Sequence, residues 1–413
     1  VKHTEILNNR KSKHRIWTMS RVLIFVLIPA VFFIFPYSNY ILLVAFLLTI
    51  VFFFTVNKWA DSKRAMEIEM NHIALCEKEL NVLEGDWSKY GQGEQFNDGR
   101  HPFSYDMDVF GKNGFFTYLN RTVTVQGEKR LASVLQNGAE DIEQSNQNIQ
   151  YLTTKMEWVH QFIASSQGKV DEPNEKLLSE LLPKTIGSIG YQKFMRFFVP
   201  ILSFLTIVGY FIPKVSFPQL LMVLTVSFVL ARIKSGAVNG WMTILDKERF
   251  RIQALQAQLE ALQLLAIKDE KAKGLFDESL LELVKSLSQL QKLSAYRMNA
   301  VVNFLLNTLL AWDALLIIKI RKFEQTYFDK LDDLEMHLAN VEVWISGSKM
   351  AYNNPQHTYA SWSEGEFEFK HLSHPFVPIS KRIANDFTLN SSECAVILTG
   401  PNMAGKSTYL RSV

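Results

Sequence analysis

Cysteine is almost absent from this chain. Among 413 residues only Cys76 and Cys394 carry thiols, far apart and without C-x-x-C spacing. That excludes a disulfide framework and a cysteine-ligated metal, and the two residues read as buried thiols of a reducing compartment. An excess of one charge is lacking as well: 44 basic and 41 acidic groups leave +3, so no global field draws the chain to nucleic acid and any DNA affinity has to be local. No A-x-A-like cleavage site follows the first apolar run, and a second run comes at once, which argues against a signal peptide. What the chain does have is apolar content, 48% with 30 Phe, heavy for a protein that meets only water.

That content is concentrated in runs. Residues 1–21 form a basic tail with Lys2, Arg10, Lys11, Lys13, Arg15 and Arg21 against the single acid Glu5. Val22 to Phe35 and Ile41 to Val56 follow, separated by Pro36-Tyr-Ser-Asn-Tyr40. Each run is a little short of the ~20 residues that a bilayer core prefers, and the break divides them into a helical hairpin, with Trp17, Tyr37 and Tyr40 at the interfaces. A second pair, Phe197 to Ile212 and Gln219 to Ala231, is joined by a segment from Pro213 to Pro218 and flanked by Lys193, Arg196, Arg232 and Lys234. Positive charge at the outer ends of both pairs predicts a multi-pass protein of the cell membrane, with four spans and both termini cytoplasmic. The stretch Val301 to Ile320 has the length of a fifth span, but Asn303, Asn307 and Asp313 fall within it. A central carboxylate costs roughly 2.5 to 3.5 kcal/mol on insertion scales, so this stretch reads as a buried core helix.

The remaining segments read as helices and a linker. Met66, Met70, Ile73, Leu80 and Leu83 predict an amphipathic stalk over 57–83, ending near Gly85, and 84–104 is a linker. Ile252, Leu255, Leu259, Leu262 and Ala266, then Leu280, Leu283, Leu287 and Leu290 beyond Lys273-Gly274, predict two long helices in an antiparallel pair. Their charges are mixed, without a basic stripe and interleaved aromatics, which favours a structural lever over a DNA-gripping surface. From Ser361 the periodicity shortens: Glu366 to Lys370, Asp386 to Leu389 and Cys394 to Leu398 read as strands opening an α/β domain.

The last strand leads into Gly400, Pro401, Asn402, Met403, Ala404, Gly405, Lys406 and Ser407, which fit G-x-x-x-x-G-K-S residue for residue. Four residues between the glycines let successive N–H groups turn toward phosphate oxygens, and the helix that follows presents its positive end to the same charge. Lys406 is expected to reach the terminal phosphates of ATP and Ser407 to ligate Mg²⁺, with Thr408 completing the loop. Phosphoryl transfer also needs a downstream acidic metal ligand. Six residues follow Ser407, and the chain begins with Val rather than Met. Both ends look cut, and the expectation is half a site, inactive alone.

Several motifs carry a resemblance. Tyr105-Asp-Met-Asp108 leading to Leu119-Asn-Arg-Thr-Val-Thr-Val-Gln-Gly127 is similar to the start of the core domain of MutS-family mismatch-repair ATPases. His374-Pro375 and Asn385-Asp-Phe-Thr-Leu389 resemble elements that precede the phosphate loop in that family, and Thr399 to Thr408 departs from the family's loop at one position, Ala404 for Gly. The resemblance spans roughly 105–160 and 300–413 and is nearest to short, membrane-anchored MutS-related proteins. It implies a mainly α fold: two transmembrane hairpins (22–56 and 197–231), a core in two parts (105–196 and 232–360, the latter with the levers) and the start of a P-loop ATPase domain (361–413). It further implies ATP and Mg²⁺ as cofactors, Ile383, Ala384 and Asn385 beside the adenine, a homodimer through the ATPase domain, and DNA as a partner. Mismatch reading in that family uses an N-terminal Phe-x-Glu wedge, and here hydrophobic hairpins stand in its place; Phe367-Glu-Phe369 has the wrong spacing and position to substitute. Two alternatives stay open, a transporter-type ATPase of the ABC pattern and a non-catalytic membrane scaffold.

Overall fold

The computed structural model describes residues 2–34, 41–112, 114–167, 175–183, 188–212, 214–233, 236–361, 366–377, 381–390, 395–401 and 405–413. The chain is mainly helical. In order it forms α1 (Lys2–Ile34), α2 (Ile41–Leu83), α3 (Phe115–Leu119), α4 (Val125–Asn137), α5 (Ile142–Thr153), α6 (Met156–Ser166), α7 (Leu178–Leu181), α8 (Gly190–Phe211) and α9 (Phe217–Arg232). Then follow α10 (Gly236–Lys247), α11 (Arg249–Lys268), α12 (Glu278–Met298), α13 (Ala300–Leu310), α14 (Trp312–Tyr327), α15 (Leu331–Asn353), β1 (Glu366–Leu372), β2 (Asn385–Asn390) and α16 (Lys406–Leu410). These elements make two compact units, one from 1–73, 122–130 and 157–343, the other from 74–121, 131–156 and 344–413.

The first unit holds α11 and α12, the pair expected to be levers, and α8 and α9, the second of the two expected hairpins. The apolar residues chosen from periodicity are buried, Ile252, Leu255, Leu259, Leu262 and Ala266 on α11 and Leu280, Leu283, Leu287 and Leu290 on α12, and the two helices pack on each other. The chain turns between them through a short 3-10 segment that contains Gly274. Trp241 of α10 is fully buried edge-on to Phe323 of α14, and its indole N–H donates to the Pro183 carbonyl at 3.1 Å.

At the N-terminus the basic tail is itself helical and continuous with the first apolar run, and the second run continues without a break into the amphipathic stalk as one 43-residue helix. This follows from the absence of Pro or Gly between Ile41 and Leu83, so nothing interrupts the backbone ladder. Gly85, at φ +90, closes the run. The turn at 35–40 lies outside the described residues. Among the described residues two helices are long and apolar enough to cross a membrane, over His3–Val31 and Gly190–Phe211, and α9 is apolar but shorter, at 16 residues. The four spans expected are thus not all matched by helices of spanning length among the described residues.

One expectation is overturned. Val301 to Ile320 is not a single buried core helix: it breaks at Ala311, which sits at φ 48 and ψ 52, and α13 and α14 meet there at 85°. Val301, Phe304, Leu305 and Leu310 are exposed rather than buried. The cause is local. The Asn307 side-chain oxygen accepts from the Asp313 N–H at 2.9 Å, an alternative to the helical ladder just where it would have to continue.

The second unit contains β1 and β2, an antiparallel pair with Glu366 opposite Asn390 and Phe369 opposite Phe387, broken by a bulge before Leu372. The strand expected over Cys394 to Leu398 is not formed where the chain is described. Ala395 to Leu398 has no ladder partner among the described residues, and Ile397 is 86% exposed. A run of that kind becomes a strand only between neighbours that take its backbone groups and cover its side chains; Cys394 itself lies outside the described residues.

Candidate functional site

The phosphate-loop residues fall at the turn before α16, in the second unit. Gly405 has φ +79, the left-handed conformation that glycine adopts without strain, and the helix opens at Lys406 as the motif requires. Lys406 Nζ folds back across the loop to donate to the Gly400 carbonyl at 2.5 Å, while Ser407 and Thr408 lie exposed on the first turn. Pro401 is exposed too, and Asn402, Met403 and Ala404 lie outside the described residues. A lysine that opens a helix directly after a left-handed glycine is the local arrangement that a phosphate-binding loop requires.

The elements resembling MutS motifs are tied to one another by polar contacts. Asp386 accepts from the His371 N–H at 2.7 Å and so stitches the bulge of the strand pair, where His371 takes φ 53. Arg382 donates to the carbonyls of Val377 at 2.9 Å and Pro375 at 2.8 Å, which holds the His374-Pro-Phe-Val segment next to the chain leading to Ile383. Phe376 packs among Trp87 and Tyr118, ring centroids 5.2 and 5.3 Å away. Burial, then the nearby Arg411 and Arg382, lowers the pKa of His374. Arg411, just after α16, pairs with Asp108 of the aspartate-bearing turn at 2.6 Å. Of the residues expected beside an adenine, Ile383 is 78% exposed, Ala384 is exposed, and Asn385 opens β2 opposite Leu372.

The Leu119 to Gly127 segment carries two separate buried networks. In the second unit Arg121 donates from Nε to Glu79 at 2.6 Å, and its guanidinium lies 4.1 Å from the Tyr90 ring centre. The Tyr90 hydroxyl donates to Glu79 at 2.8 Å, and Lys349 Nζ stands 3.4 Å from the other Glu79 oxygen. Burial pushes the Glu79 carboxyl up, but the charges of Arg121 and Lys349 and the hydrogen bonds outweigh it and hold the group below its ordinary value. Burial in turn lowers the pKa of Lys349, against the pull of Glu79. In the first unit Glu342, 1% exposed, accepts from the N–H groups of Val123 at 2.9 Å and Thr124 at 3.1 Å, and from the Gln258 side chain. A carboxylate thus caps the free N–H groups where α4 begins. Burial pushes its pKa up, against these bonds. Gly127 is required there, because a Cβ would stand 1.9 Å from a Glu342 oxygen. Glu79, Glu342 and Lys349 are absent from the sequence-based assignment; the one signal for them was charge at otherwise apolar helical positions.

Stretches of the chain are similar in sequence to DNA mismatch repair proteins of the MutS type. The protein of that name from Petrotoga mobilis is 33% identical over 91 residues, covering 21% of this chain and 11% of the relative. That of Thermosipho melanesiensis is 36% identical over 89 residues, with the same two shares, and that of Ehrlichia ruminantium 35% over 111, covering 24% and 13%. The chain thus spans about an eighth or less of the length of these curated relatives. No protein-family model matches the chain. No solved structure matches it.

Proposed function

We propose that this chain is a membrane-anchored, ATP-binding protein of the MutS family. The observation that carries the nucleotide assignment is the agreement of motif and local structure: G-x-x-x-x-G-K-S over 400–407, a left-handed Gly405, and a helix that starts at Lys406. In this reading the loop Gly400 to Thr408 holds ATP, Lys406 neutralises its terminal phosphates and the Ser407 hydroxyl ligates Mg²⁺, which supplies the charge that draws electrons from the phosphoryl group. Ile383, Ala384 and Asn385 flank the adenine, their exposure leaving them free to do so. Similarity to MutS stretches supports the family and, with it, a homodimer through the ATPase domains.

Membrane anchoring is supported by the inverted polarity of α8. Its buried side carries Gln192, Met195, Val199, Ser203 and Thr206 at helical spacing, and its exposed side Phe194, Phe197, Ile201, Phe204 and Phe211. Water would reverse that arrangement, whereas lipid tolerates aromatic and aliphatic side chains outside and favours small polar ones between helices. Ser203 donates to the Thr308 carbonyl at 2.7 Å and lies 3.4 Å from Ser227 of α9, the kind of bond that joins helices in a bilayer. DNA is proposed as a partner at the level of the family, and mismatch reading is not assigned to this chain. The test is nucleotide binding by the detergent-solubilised protein: a labelled ATP analogue is expected to bind with Mg²⁺ and to be lost on Lys406→Ala. Unchanged binding by the variant would overturn the assignment.

A further inference from the structure

Helix α13 is as inverted as α8, although it is too short to span. It holds no ionisable residue. On its inner side Asn307 and Thr308 are buried, and Asn307 donates to the Asn303 side chain at 2.6 Å. On its outer side Val301, Phe304 and Leu305 are 68, 41 and 49% exposed, and Met298 just before it is 63% exposed. The spacing of 298, 301 and 305 makes one apolar stripe along the helix.

The helix packs on both α8 and α9. Thr308 takes the bond from Ser203, and the rings of Phe304 and Phe228 lie 5.1 Å apart. At the lower end Ala311 joins Met195, Val199 and Ala231 in one buried cluster. The exposed apolar side of α13 therefore continues the exposed apolar sides of the hairpin helices. No hydrogen-bonding or charged side chain lies along the stripe to set the register of a protein partner, so the occupant that fits is the same one that fits α8, hydrocarbon.

Two features decide how far it enters. Eleven residues at 1.5 Å each make about 16 Å, roughly half of a ~30 Å hydrocarbon core. The 85° bend at Ala311 prevents α14 from continuing the path, and α14 carries Lys319, Arg321, Lys322 and Glu324. The two ends of α13 are also tied together. Arg297, before it, grips Asp313, after it, with two bonds of 2.8 and 3.0 Å, the side chains 9% and 0% exposed. An entry and an exit clamped to each other cannot lie on opposite faces of a bilayer.

We infer that α13 lies within one leaflet beside the second hairpin, its outer side in hydrocarbon and both its ends on the same side of the bilayer, with the Arg297–Asp313 pair as its clasp. The inference rests on the reading that α8 and α9 lie in the membrane. Helices α12 and α14, which flank it, are then held at the bilayer by their own junction.

The test uses the full chain with Cys76→Ser and Cys394→Ser, reconstituted in phosphatidylcholine and phosphatidylglycerol vesicles. Single cysteines at Val301, Phe304 or Leu305 carry bimane, with Phe204→Cys as the hairpin reference and Lys285→Cys as the aqueous one. Quenching of the three α13 labels and of the Phe204 label by nitroxide-bearing lipids, with the Lys285 label quenched only by iodide, is the expected result. If Phe204→Cys is quenched by lipid but the α13 labels respond to iodide, the inference fails and the anchored hairpin stands. Labels on α13 silent to both quenchers also overturn it, pointing to a protein contact. A Phe204 label reached by iodide alone removes the membrane reading together with the inference. Lys292→Cys and Gln325→Cys are expected to react with an impermeant maleimide from the same side of sealed vesicles, and reaction from opposite sides would disprove the return.

Discussion

Glu79 joins Arg121, Tyr90 and Lys349 in a buried cluster where each charge depends on the others. Glu79→Ala leaves two cations without a counter-charge and is expected to cost about 3–5 kcal/mol, read as faster hydrogen exchange of the Tyr118 to Arg121 amides. The pH dependence follows from the sign of the shift. The folded pKa of Glu79 is depressed, so its contribution is present above the ordinary carboxylate range and is lost as pH falls through the lowered folded value. Acidification should therefore lower the protection of these amides in the parent protein, measured as intrinsic over observed exchange rate at each pH, and Glu79→Gln should flatten that response. Gly127 gives a second prediction. With Glu342 occupying the space of a Cβ, Gly127→Ala has to push the cap off the start of α4, a loss of roughly 1–3 kcal/mol visible as a lower unfolding temperature in detergent. The Leu-Asn-Arg-Thr pattern identified a family resemblance, but it could not reveal that the motif's arginine and glycine each serve a buried glutamate from a distant helix, because pairing across 42 residues from Glu79 to Arg121 is a product of folding.

At the scale of elements, periodicity marked the buried residues of α11 and α12 and missed the break within the Val301 to Ile320 stretch. In α11 and α12 every periodic leucine is buried, so burial and pattern agree. In α13 the same apolar pattern faces outward, because composition cannot tell a core from a lipid contact. Nor does it show a break when the breaking residue is an alanine. Ala311 in the left-handed region costs about 1–2 kcal/mol relative to a right-handed conformation, and it is held there by the Asn307–Asp313 and Arg297–Asp313 bonds. Ala311→Gly is expected to keep or raise stability by up to about 1 kcal/mol, whereas Ala311→Val should lower it, since a β-branched residue tolerates that conformation still less. Thermal unfolding of the two variants side by side checks the sign. Among the strands, β1 was legible in the alternation of Glu366 to Lys370, but its pairing with β2 was not, nor was the state of the run before Gly400, since both depend on neighbours rather than on the residues themselves.

For the whole molecule, the proposed nucleotide binding and the proposed membrane anchoring rest on different residues and should separate. Lys406→Ala is expected to abolish nucleotide binding yet leave the chain in the alkaline-carbonate-resistant membrane pellet, and loss of both together would show that anchoring depends on the nucleotide. Helices α2, α4 and α15 each pass from one compact unit to the other, so neither unit is a contiguous piece of sequence. Chain order alone did not predict that interleaving. The sequence by itself determined the helical class, the apolar runs and the phosphate-loop motif, because those depend on local spacing and residue type. Only the tertiary structure decided which apolar faces turn outward, where a carboxylate caps a helix or neutralises a buried cation, and that α13 ends in a clasp instead of running on, because each of these is settled by a partner far away along the chain.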